Sequence, residues 1–425
     1  MDTDSLRKTL AIYRGLVEVS GLIGSITEFD ELLGAVLDVA KRVMQAEASS
    51  LFLVNEEHGE LEMVLASNAE GRLLREGIRV PRGKGIAGWV FEHDECVLIP
   101  DAYADPRFYR EADAKSGFRT RSILCGPLSY EGSLIGVLQV LNPREKPSFE
   151  QEDLEGFRAY TNLTATALQK VRALEQLRRQ ERVNRDLAIA SEIQTELLSR
   201  AIPEHVPGAR FAAFNRPAAT VGGDFYDVFV KNPYETYFAI GDVSGKGISA
   251  SLLMAQVLSA MQFVFTSATS PADALAKLNS TLHQRIVRGM FVTMLIGRFT
   301  PASGRIELAS AGHCRPYMLR ATGRTILVET EGALPLGILP RVAYRQGKID
   351  IASGDHLICF TDGLSESRAQ EDDGFFEDRI EGVLKALDAP ASPAGIMEAL
   401  VHAEETHRGP NPRSDDLTLL ILGAQ

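Results

Sequence analysis

A single uninterrupted helical stretch divides this chain. From Phe157 to Ile202 the sequence contains neither glycine nor proline, and from about residue 149 it is highly charged. Apolar residues recur there mostly at every third or fourth position, which is typical of an amphipathic helix. They are Leu168, Val171, Leu174, Leu177, Val183, Leu187, Ala190, Ile193 and Leu197. About 45 residues exceeds the usual length of a helix in a globular domain, so the flanking regions are expected to fold separately.

The apolar positions of this helix form a narrow stripe, which leaves two interpretations open. A narrow stripe is typical of the seam between two chains of a coiled coil. The alternative is a single amphipathic helix that lies on its own domain. We favour a dimerising helix, because so long a helix with so narrow a stripe usually needs a partner.

The regions on either side of the helix differ in pattern. The region before it mixes an amphipathic helix with pairs of strands around glycine turns, whereas apolar strands with inserted helices dominate after Pro203. A chain of 425 residues is also too long for one typical core. We therefore predict an α+β, multidomain protein. Its parts are an N-terminal helix at 1–25, an α/β domain with an antiparallel sheet at 26–160, a helical coiled-coil linker at 161–200, and a sandwich of sheets covered by helices at 201–425.

Composition favours a cytoplasmic protein that binds neither nucleic acid nor membrane. The net charge of −12 gives no electrostatic footprint for nucleic acid. No run of about 18 apolar residues predicts a membrane span, and the acidic start lacks the pattern of a signal peptide. The cysteines are scattered without a CxxC pair, so we expect reduced core thiols. They are Cys96, Cys125, Cys314 and Cys359.

Two glycine-rich motifs invite nucleotide-binding interpretations that the residues exclude. The stretch "TVGGDFYDV" resembles the Gly-Gly-Asp-Glu-Phe hairpin of diguanylate cyclases, but Phe225 stands where that chemistry needs a carboxylate. The stretch "IGDVSGKGIS" suggests a phosphate-binding loop. Its Gly241 and Gly245 are one residue too close, and Gly247 stands where Ser or Thr would bind Mg²⁺.

Aspartates lie at the ends of apolar strands throughout the second half of the chain. Asp224 lies in "GGDFYD", Asp242 in "AIGDVSGKG", Asp362 in "CFTDGLSE", and Asp415 with Asp416 in "RSDDLTLLIL". One such aspartate would be ordinary turn chemistry. Several in one domain indicate a cation site, because clustered carboxylates repel one another unless a cation neutralises them. Hard oxygen ligands without nearby His or Cys select Mg²⁺ or Mn²⁺.

An ordered set of motifs in the second half resembles the SpoIIE/RsbU branch of the PPM metal-dependent protein Ser/Thr phosphatases. The resemblance covers about residues 211–422. The motifs are "VGGDFYD", "IGDVSGKG", "SAGHCRPYML", "LPLGI", "FTDGLSES" and "SDDLTLL". It implies an αββα sandwich with two Mn²⁺ or Mg²⁺ ions at one edge.

The resemblance also implies roles for individual residues. Asp242 matches the aspartate that bridges the two metals, and Asp224 matches the acidic partner at the second metal; both are predicted to be catalytic. Asp362 and Asp415 match the ligands of the first metal, and Val243 is expected to offer its backbone carbonyl. In this mechanism a water activated by both metals attacks phosphorus, while the metals offset charge on the phosphoryl oxygens.

The sequence departs from the family pattern at other positions. Ser244 occupies the place where many of these enzymes have a histidine that could protonate the leaving group. His313 is an alternative acid, although a hydrogen-bonded loop histidine is the favoured interpretation. Arg216 is a candidate for the phosphate-binding arginine, but ordinary surface charge explains it equally well. Asp227 and Asp416 are interpreted as structural residues or as supports of the metal ligands, and for Asp227 two roles stay open: a ligand through water, or the cap of a turn.

The first half of the chain, about residues 26–170, resembles a GAF sensory domain. The carrying stretches are "FDELLGAVLDVAKRVMQAEASSLFLVN", "VPRGKGIAGWVFEHDECVLIPDAYADPRFYREAD" and "SILCGPLSYEGSLIGVLQVLNP". Cyclic-nucleotide-binding GAF domains carry Asn-Lys followed by Phe-x-x-x-Asp-Glu. Here Asn142 precedes proline, and Phe149 and Asp153 are followed by Leu154, so a cyclic nucleotide is one candidate and the ligand stays unknown.

Three further residues of this first half have two interpretations each. Cys96 or Cys125 could sense redox state, but buried structural thiols are favoured. Trp89 is expected in the core or in a pocket wall. The domain could also bind no small molecule and serve as a dimer interface.

Together these features predict a signal-regulated, metal-dependent protein serine/threonine phosphatase. By resemblance its substrate would be a phosphorylated anti-sigma factor antagonist with a STAS fold, and the linker helix would form a homodimer and carry a signal to the metal site. The alternative is a non-enzymatic scaffold with an inactive phosphatase-like domain. The complete set of four aspartates favours the enzyme.

Overall fold

The protein is described by a computed structural model. Its described residues are 25–67, 73–74, 78–110, 113, 118–286, 289–369, 376–387 and 391–425, together with residues 17, 20 and 21. The helix predicted for residues 1–25 therefore lies almost entirely outside the described residues. The chain divides into two compact units, Met1–Arg182 and Val183–Gln425, and each unit has its own apolar core.

The first unit is built on one antiparallel sheet with helices on both faces. Its elements are α1 (Phe29–Val43), β1 (Ala46–Asn55), β2 (Glu60–Ser67), β3 (Leu73–Leu74), β4 (Arg79–Val80), α2 (Gly85–His93), β5 (Val97–Ile99), β6 (Ile123–Tyr130), β7 (Ser133–Pro143) and the start of α3 (Gln151–Ser199). The strands are ordered β3-β2-β1-β7-β6-β5, with β4 paired to β2. Because neighbouring residues of a strand point to opposite faces, Leu51 and Leu124 pack with α1 and α3, whereas Phe52 and Cys125 pack with α2.

Helix α3 is 49 residues long, as its uninterrupted sequence predicts, and its burial changes along its length. Leu168 and Val171 belong to the core of the first unit. Leu177 is 61% exposed. Near its end the buried residues are Gln194 and Leu198, which are direct sequence neighbours of the predicted seam positions 193 and 197.

The second unit stacks two five-stranded antiparallel sheets between helices. Its elements are β8 (Ala209–Arg216), β9 (Phe225–Asn232), β10 (Glu235–Val243), α4 (Ile248–Ser267), α5 (Pro271–His283), β11 (Val292–Thr300), β12 (Arg305–Ala311), β13 (Tyr317–Leu319), β14 (Thr325–Leu327), β15 (Gln346–Asp350), β16 (His356–Phe360), α6 (Asp362–Ser365), α7 (Glu377–Lys385), α8 (Pro393–Arg408) and β17 (Leu417–Ala424). The first sheet is ordered β15-β12-β11-β10-β9 and the second β14-β13-β16-β17-β8.

Strand β17 shows how the four layers are held together. Leu420 and Leu422 point into the core that joins the two sheets to α4 and α5. Leu419 and Ile421 point the other way, into the cluster formed with α7 and α8. A strand that is buried on both faces is a nearly continuous apolar run, and Thr418 is the polar residue buried within β17. The result is the αββα sandwich that the sequence motifs imply.

Helix α4 is, within the described part of the chain, a helix whose length and composition would allow it to cross a membrane. However, one of its faces packs into the core of the second unit, and core helices pass the same test. The buried residues of this face are Ala250, Leu253, Met254, Val257, Met261, Val264 and Phe265. The absence of a membrane segment stays a prediction.

The close packing of Gly297 against Phe238 gives a stability prediction. A Cβ atom at Gly297 would lie 2.0 Å from the Phe238 ring, which is fully buried. Gly297→Ala is expected to lower the free energy of unfolding by about 1–3 kcal/mol, because an overpacked core must shift. Urea unfolding of the full chain measures the effect. Gly347→Ala in the same sheet is the control, since a Cβ there meets nothing within 4 Å; equal effects of the two variants would contradict the packing argument.

Candidate active site

The structure brings the four predicted aspartates together at one edge of the sandwich. Asp224 directly precedes β9 and Asp242 lies near the end of β10, both in the first sheet. Asp362 follows β16 and Asp415 precedes β17, both in the second sheet. Their carboxylates interact electrostatically: Asp242 with each of the other three, and Asp362 with Asp415. The edge therefore concentrates negative charge from both sheets.

Asp224 is the most deeply buried of these carboxylates, with 1% of its surface exposed. Its Oδ2 atom accepts hydrogen bonds from the hydroxyls of Thr361 and Thr418, each at 2.7 Å. Burial, followed by the charge of Asp242, raises the pKa of Asp224 well above its usual range. Both threonines belong to the second sheet, and the Asn215 amide donates to Thr418 Oγ1 at 2.8 Å. Asp224 is thus held across the gap between the sheets.

Asp242 and Asp362 have raised pKa values for the same physical reasons. Burial, followed by the charge of Asp362, raises the pKa of Asp242 to about 7, although a hydrogen bond with Asp224 lowers it. Burial, followed by the charge of Asp415, raises the pKa of Asp362. Each carboxylate opposes the ionisation of its neighbour, as expected for a cluster whose charge a cation would neutralise.

The donor chemistry of this cluster fits Mg²⁺ or Mn²⁺, but the side chains are not aligned as a finished coordination sphere. Within the described residues, no group of three or more His, Cys, Asp and Glu is arranged to hold a metal ion. Two of the carboxylates are engaged elsewhere: Asp224 by the threonines, and Asp415 by the Lys246 ammonium at 3.2 Å. Hard carboxylate oxygens are nonetheless the ligands that both ions prefer.

Val243 lies beside the glycines that precede Asp224. A Cβ atom on Gly223 would come within 2.8 Å of the Val243 carbonyl oxygen. Glycine at 223 therefore lets the chain pass close to this carbonyl, which is the one predicted to face a metal. The Val243 side chain itself is buried in the core.

Asp416 supports the same loop. Its Oδ1 atom accepts a hydrogen bond from the backbone N–H of Ala218, and its Oδ2 atom accepts one from that of Gly223, both at 2.7 Å. A Cβ atom on Gly222 would lie 2.2 Å from Asp416 Oδ2. Both carboxylate oxygens are thus occupied by backbone, which agrees with the structural role favoured from the sequence.

Asp227 lies outside the carboxylate cluster. It accepts a hydrogen bond of 2.7 Å from the Gln262 amide of α4. Burial raises its pKa to about 6, and none of the other aspartates contributes. Asp227 therefore fixes α4 to β9.

His313 and Ser244 both have structural partners. His313 is buried, its Nδ1 atom lies 3.0 Å from Thr293 Oγ1, and burial lowers its pKa to about 4. It is therefore neutral near pH 7, which agrees with the favoured interpretation as a loop histidine. Ser244 Oγ accepts a hydrogen bond from the Phe291 N–H at 2.8 Å. Neither residue offers an acidic proton to a leaving group.

Arg216 forms an ion pair with Glu405 on the surface of the second unit. This contact accounts for its charge without a bound phosphate. The hydroxyl groups of Thr361 and Thr418 were not predicted as part of the site. Their signal was present, because one threonine directly precedes Asp362 and the other lies two residues after Asp416.

In the first unit, the residues that match half of a cyclic-nucleotide motif have structural partners. Asn142 Oδ1 accepts a hydrogen bond from the Arg121 N–H at 2.6 Å. Asp153 caps the start of α3 by accepting from the Glu150 N–H at 2.7 Å. Phe149 is buried in the core. The ligand of this domain is therefore not identified by the motif.

The other candidate residues of the first unit, Cys96, Cys125 and Trp89, pack against its apolar core clusters. Burial raises the pKa of the Cys96 and Cys125 thiols, and a protonated thiol is a poor nucleophile. The Trp89 ring stacks on His93 with centroids 4.1 Å apart, and the Arg107 guanidinium lies 4.7 Å from the Trp89 ring centroid. Trp89 thus lies at the edge of the apolar cluster around α2.

Two stacked sheets between helices, with aspartates from both sheets converging at one edge, define a phosphatase domain of the PP2C class. Residues 232–425 match the family model described as stage II sporulation protein E (SpoIIE), and residues 28–168 match the GAF domain. The chain is 30% identical over 247 residues to the phosphoserine phosphatase RsbU of Bacillus subtilis, covering 57% of this chain and 71% of RsbU. The chain therefore belongs to the RsbU-like SpoIIE family of PP2C-type protein serine/threonine phosphatases, with an N-terminal GAF domain.

Two further comparisons are consistent with this assignment. The solved SiaA-PP2C domain of Pseudomonas aeruginosa superposes with a TM-score of 0.50 at 18% identity, covering 58% of this chain and 99% of that domain; this likeness shows the fold. A probable 3',5'-cyclic phosphodiesterase, pde-5 of Caenorhabditis elegans, is 29% identical over 42% of this chain but only 26% of its own length. The phosphodiesterase activity of that protein is therefore not assigned to this chain. The predicted fold class is confirmed, and membership of the family favours the enzyme over the scaffold.

The buried Asp227 carboxyl gives a pH-dependent prediction. Its pKa is raised from 3.8 to about 6, so the stability that it contributes below about pH 4 is lost as the pH rises through 6. Asp227→Asn keeps the acceptor for Gln262 and removes the charge. The gain in unfolding free energy over the wild type should be about 2 kcal/mol larger at pH 8 than at pH 4, as measured by urea unfolding.

Asp273 provides a control of opposite sign. Hydrogen bonds from the Thr269 N–H and from Lys277 lower its pKa, so Asp273→Asn should destabilise the protein at pH 8 and have little effect at low pH. A pH-independent effect of Asp227→Asn would show that burial does not set the titration of this carboxyl.

Proposed function

We propose that this chain is a signal-regulated phosphatase that removes phosphate from serine or threonine of a phosphoprotein with the help of two divalent cations. The observation that carries the proposal is the convergence of Asp224, Asp242, Asp362 and Asp415. Burial and the charge of a neighbouring aspartate raise the pKa values of the first three. These carboxylates and the Val243 carbonyl would hold Mn²⁺ or Mg²⁺. When bound, such cations activate water for attack on phosphorus and offset charge on the phosphoryl oxygens.

The residues of the chain contribute orientation and charge. The hydroxyls of Thr361 and Thr418 fix one oxygen of Asp224, and the Asp224 carboxyl also forms a hydrogen bond with Asp242. Asp242 and Asp224 are the proposed catalytic carboxylates. His313 is neutral and buried, so protonation of the leaving group is assigned to solvent rather than to this ring.

The proposed substrate is a phosphorylated STAS-domain anti-sigma factor antagonist, as the resemblance to the SpoIIE/RsbU branch implies. We also propose that the protein acts in the cytoplasm without a nucleic-acid or membrane partner. The net charge of −12 supports the absence of a nucleic-acid partner, and the free cysteines support a reducing compartment.

Metal dependence and the role of Asp242 are tested together. Hydrolysis of a chromogenic phosphate ester and of a phosphoserine STAS protein should require Mn²⁺ or Mg²⁺ and should stop with EDTA. Asp242→Asn should lower kcat/KM at least about 100-fold, because metal charge stabilisation is worth several kcal/mol. Asp350→Asn is the control, since this aspartate is exposed on β15 and pairs with Arg305. Hydrolysis that survives EDTA, or full activity of Asp242→Asn, would refute the mechanism.

We further propose a homodimer formed through α3. Ile189, Ile193 and Leu197 are spaced four residues apart, so they form one face of the helix. They are 51%, 55% and 45% exposed. A row of apolar side chains on the surface of a long helix is typical of a coiled-coil seam.

Substitution within this row tests the dimer. Ile193→Glu should shift the protein from dimer to monomer in sedimentation equilibrium, because an unpaired charge in an apolar seam is costly. Ile193→Leu keeps the apolar contact and should remain a dimer. A wild type that is monomeric at all concentrations would rule out the seam.

A further inference from the structure

The amide of Gln194 joins the end of α3 to the loop that carries Asp224. Gln194 is 5% exposed. Its Nε2 atom donates to the Gly222 carbonyl oxygen at 3.0 Å, and its Oε1 atom accepts from the Gly222 N–H at 3.1 Å. A carboxamide is a side chain that supplies both a donor and an acceptor, so it pairs with one residue of backbone as a neighbouring strand would.

Gly222 is two residues before Asp224, and the short segment between them is held at separate points. Gln194 binds Gly222, and Asp416 binds the Gly223 N–H at 2.7 Å. The threonine hydroxyls bind Asp224 itself. Among these supports, Gln194 is the one that belongs to α3, so it ties the rotation and the axial position of this helix to the segment.

A cavity of about 420 Å³ lies between the end of α3 and this loop. Gln194, Thr195 and Leu198 line it from the helix, and Asn215 and Tyr226 line it from the sheets. This space is open to solvent on one side, so continuous packing against the sheets does not hold the helix along this stretch. The two hydrogen bonds between Gln194 and Gly222 therefore hold the helix beside a region where packing alone does not fix it.

The same cavity wall includes a second support of Asp224. Asn215 donates to Thr418 Oγ1 at 2.8 Å, and Thr418 donates to Asp224. A displacement of the end of α3 would therefore reach Asp224 along the backbone from Gly222. The threonine hydroxyls that bind the Asp224 side chain belong to the second sheet and would not move with α3.

We propose that Gln194 is a positioning residue that couples the placement of α3 to the position of Asp224, so that cation binding requires the end of α3 in its observed register. This inference rests on the proposed metal-dependent function. It assigns a specific side chain to the link between the long helix and the site.

The test compares variants of the full-length protein that keep the volume of residue 194. Gln194→Met removes both hydrogen bonds, and Gln194→Glu keeps the acceptor for the Gly222 N–H but places an oxygen against the Gly222 carbonyl. Residues that orient metal ligands typically contribute 10–100-fold to metal affinity. The dissociation constant for Mn²⁺, measured by calorimetry, should therefore rise about tenfold in Gln194→Met, with kcat at saturating Mn²⁺ close to that of the wild type.

Amide hydrogen exchange supplies a readout that needs neither metal nor substrate. In Gln194→Met the exchange of the Gly223 N–H should accelerate together with that of Gly222, because the whole segment moves, although Gly223 keeps its Asp416 acceptor. Thr195→Ala is the matched control, since Thr195 lines the same cavity but its hydroxyl bonds to Ser191 within the helix. It should change neither Mn²⁺ affinity nor exchange at these glycines.

The outcomes separate this inference from the proposed function. Wild-type affinity for Mn²⁺ in both Gln194 variants, or faster exchange confined to Gly222, would overturn the positioning role while leaving the phosphatase assignment intact. A wild type that neither binds Mn²⁺ nor hydrolyses phosphate esters would overturn the proposed function. If Gln194→Met does not fold, Gln194→Glu decides, because it conserves shape, keeps the bond from the Gly222 N–H and replaces the donated bond by a repulsive oxygen–oxygen contact.

Discussion

The burial of the Asp224 carboxylate between the two sheets is the constraint on which the site depends. A buried carboxylate is costly unless hydrogen bonds or charge compensate it. Here the compensation comes from Thr361 and Thr418, which belong to the opposite sheet. The sandwich must therefore close in the correct register before the aspartates can meet, and the fold and the chemistry are linked through one side chain.

The residues around Asp224 hold its loop in different ways. Asp416 uses both oxygens on backbone N–H groups, and the glycines at 222 and 223 leave room for it and for the Val243 carbonyl. Asp416 therefore shapes the loop through its hydrogen bonds, and its charge also contributes to the raised pKa values of Asp224 and Asp242. Consecutive aspartates, 415 and 416, have different partners because neighbouring residues near a strand end point in different directions.

Much of this arrangement could be predicted from the sequence, because apolar strands that end on aspartates and the order of the motifs are local patterns. The hydrogen bonds that hold Asp224 could not be predicted in this way. Thr418 and Asp224 are separated by 194 residues, and no local pattern reports such a pair. The helix face was also ambiguous: apolar spacing selects Ile193 and Leu197, but the buried residues are Gln194 and Leu198. A polar side chain can be buried when backbone satisfies both of its groups, which hydrophobic periodicity does not detect.

Strand β17 has a consequence for the order in which the protein assembles. The strands from β9 to β12 pair with their immediate neighbours in sequence, whereas β8 pairs with β17 across about 200 residues of chain. Loop closure over such a distance is slow compared with hairpin formation. The first sheet can therefore form early, but Asp415 and Thr418 arrive only when the last strand inserts between its neighbours. A nascent or partly unfolded domain thus lacks Asp415 and one of the two hydroxyls that hold Asp224, so hydrolytic capacity is acquired in the final folding step.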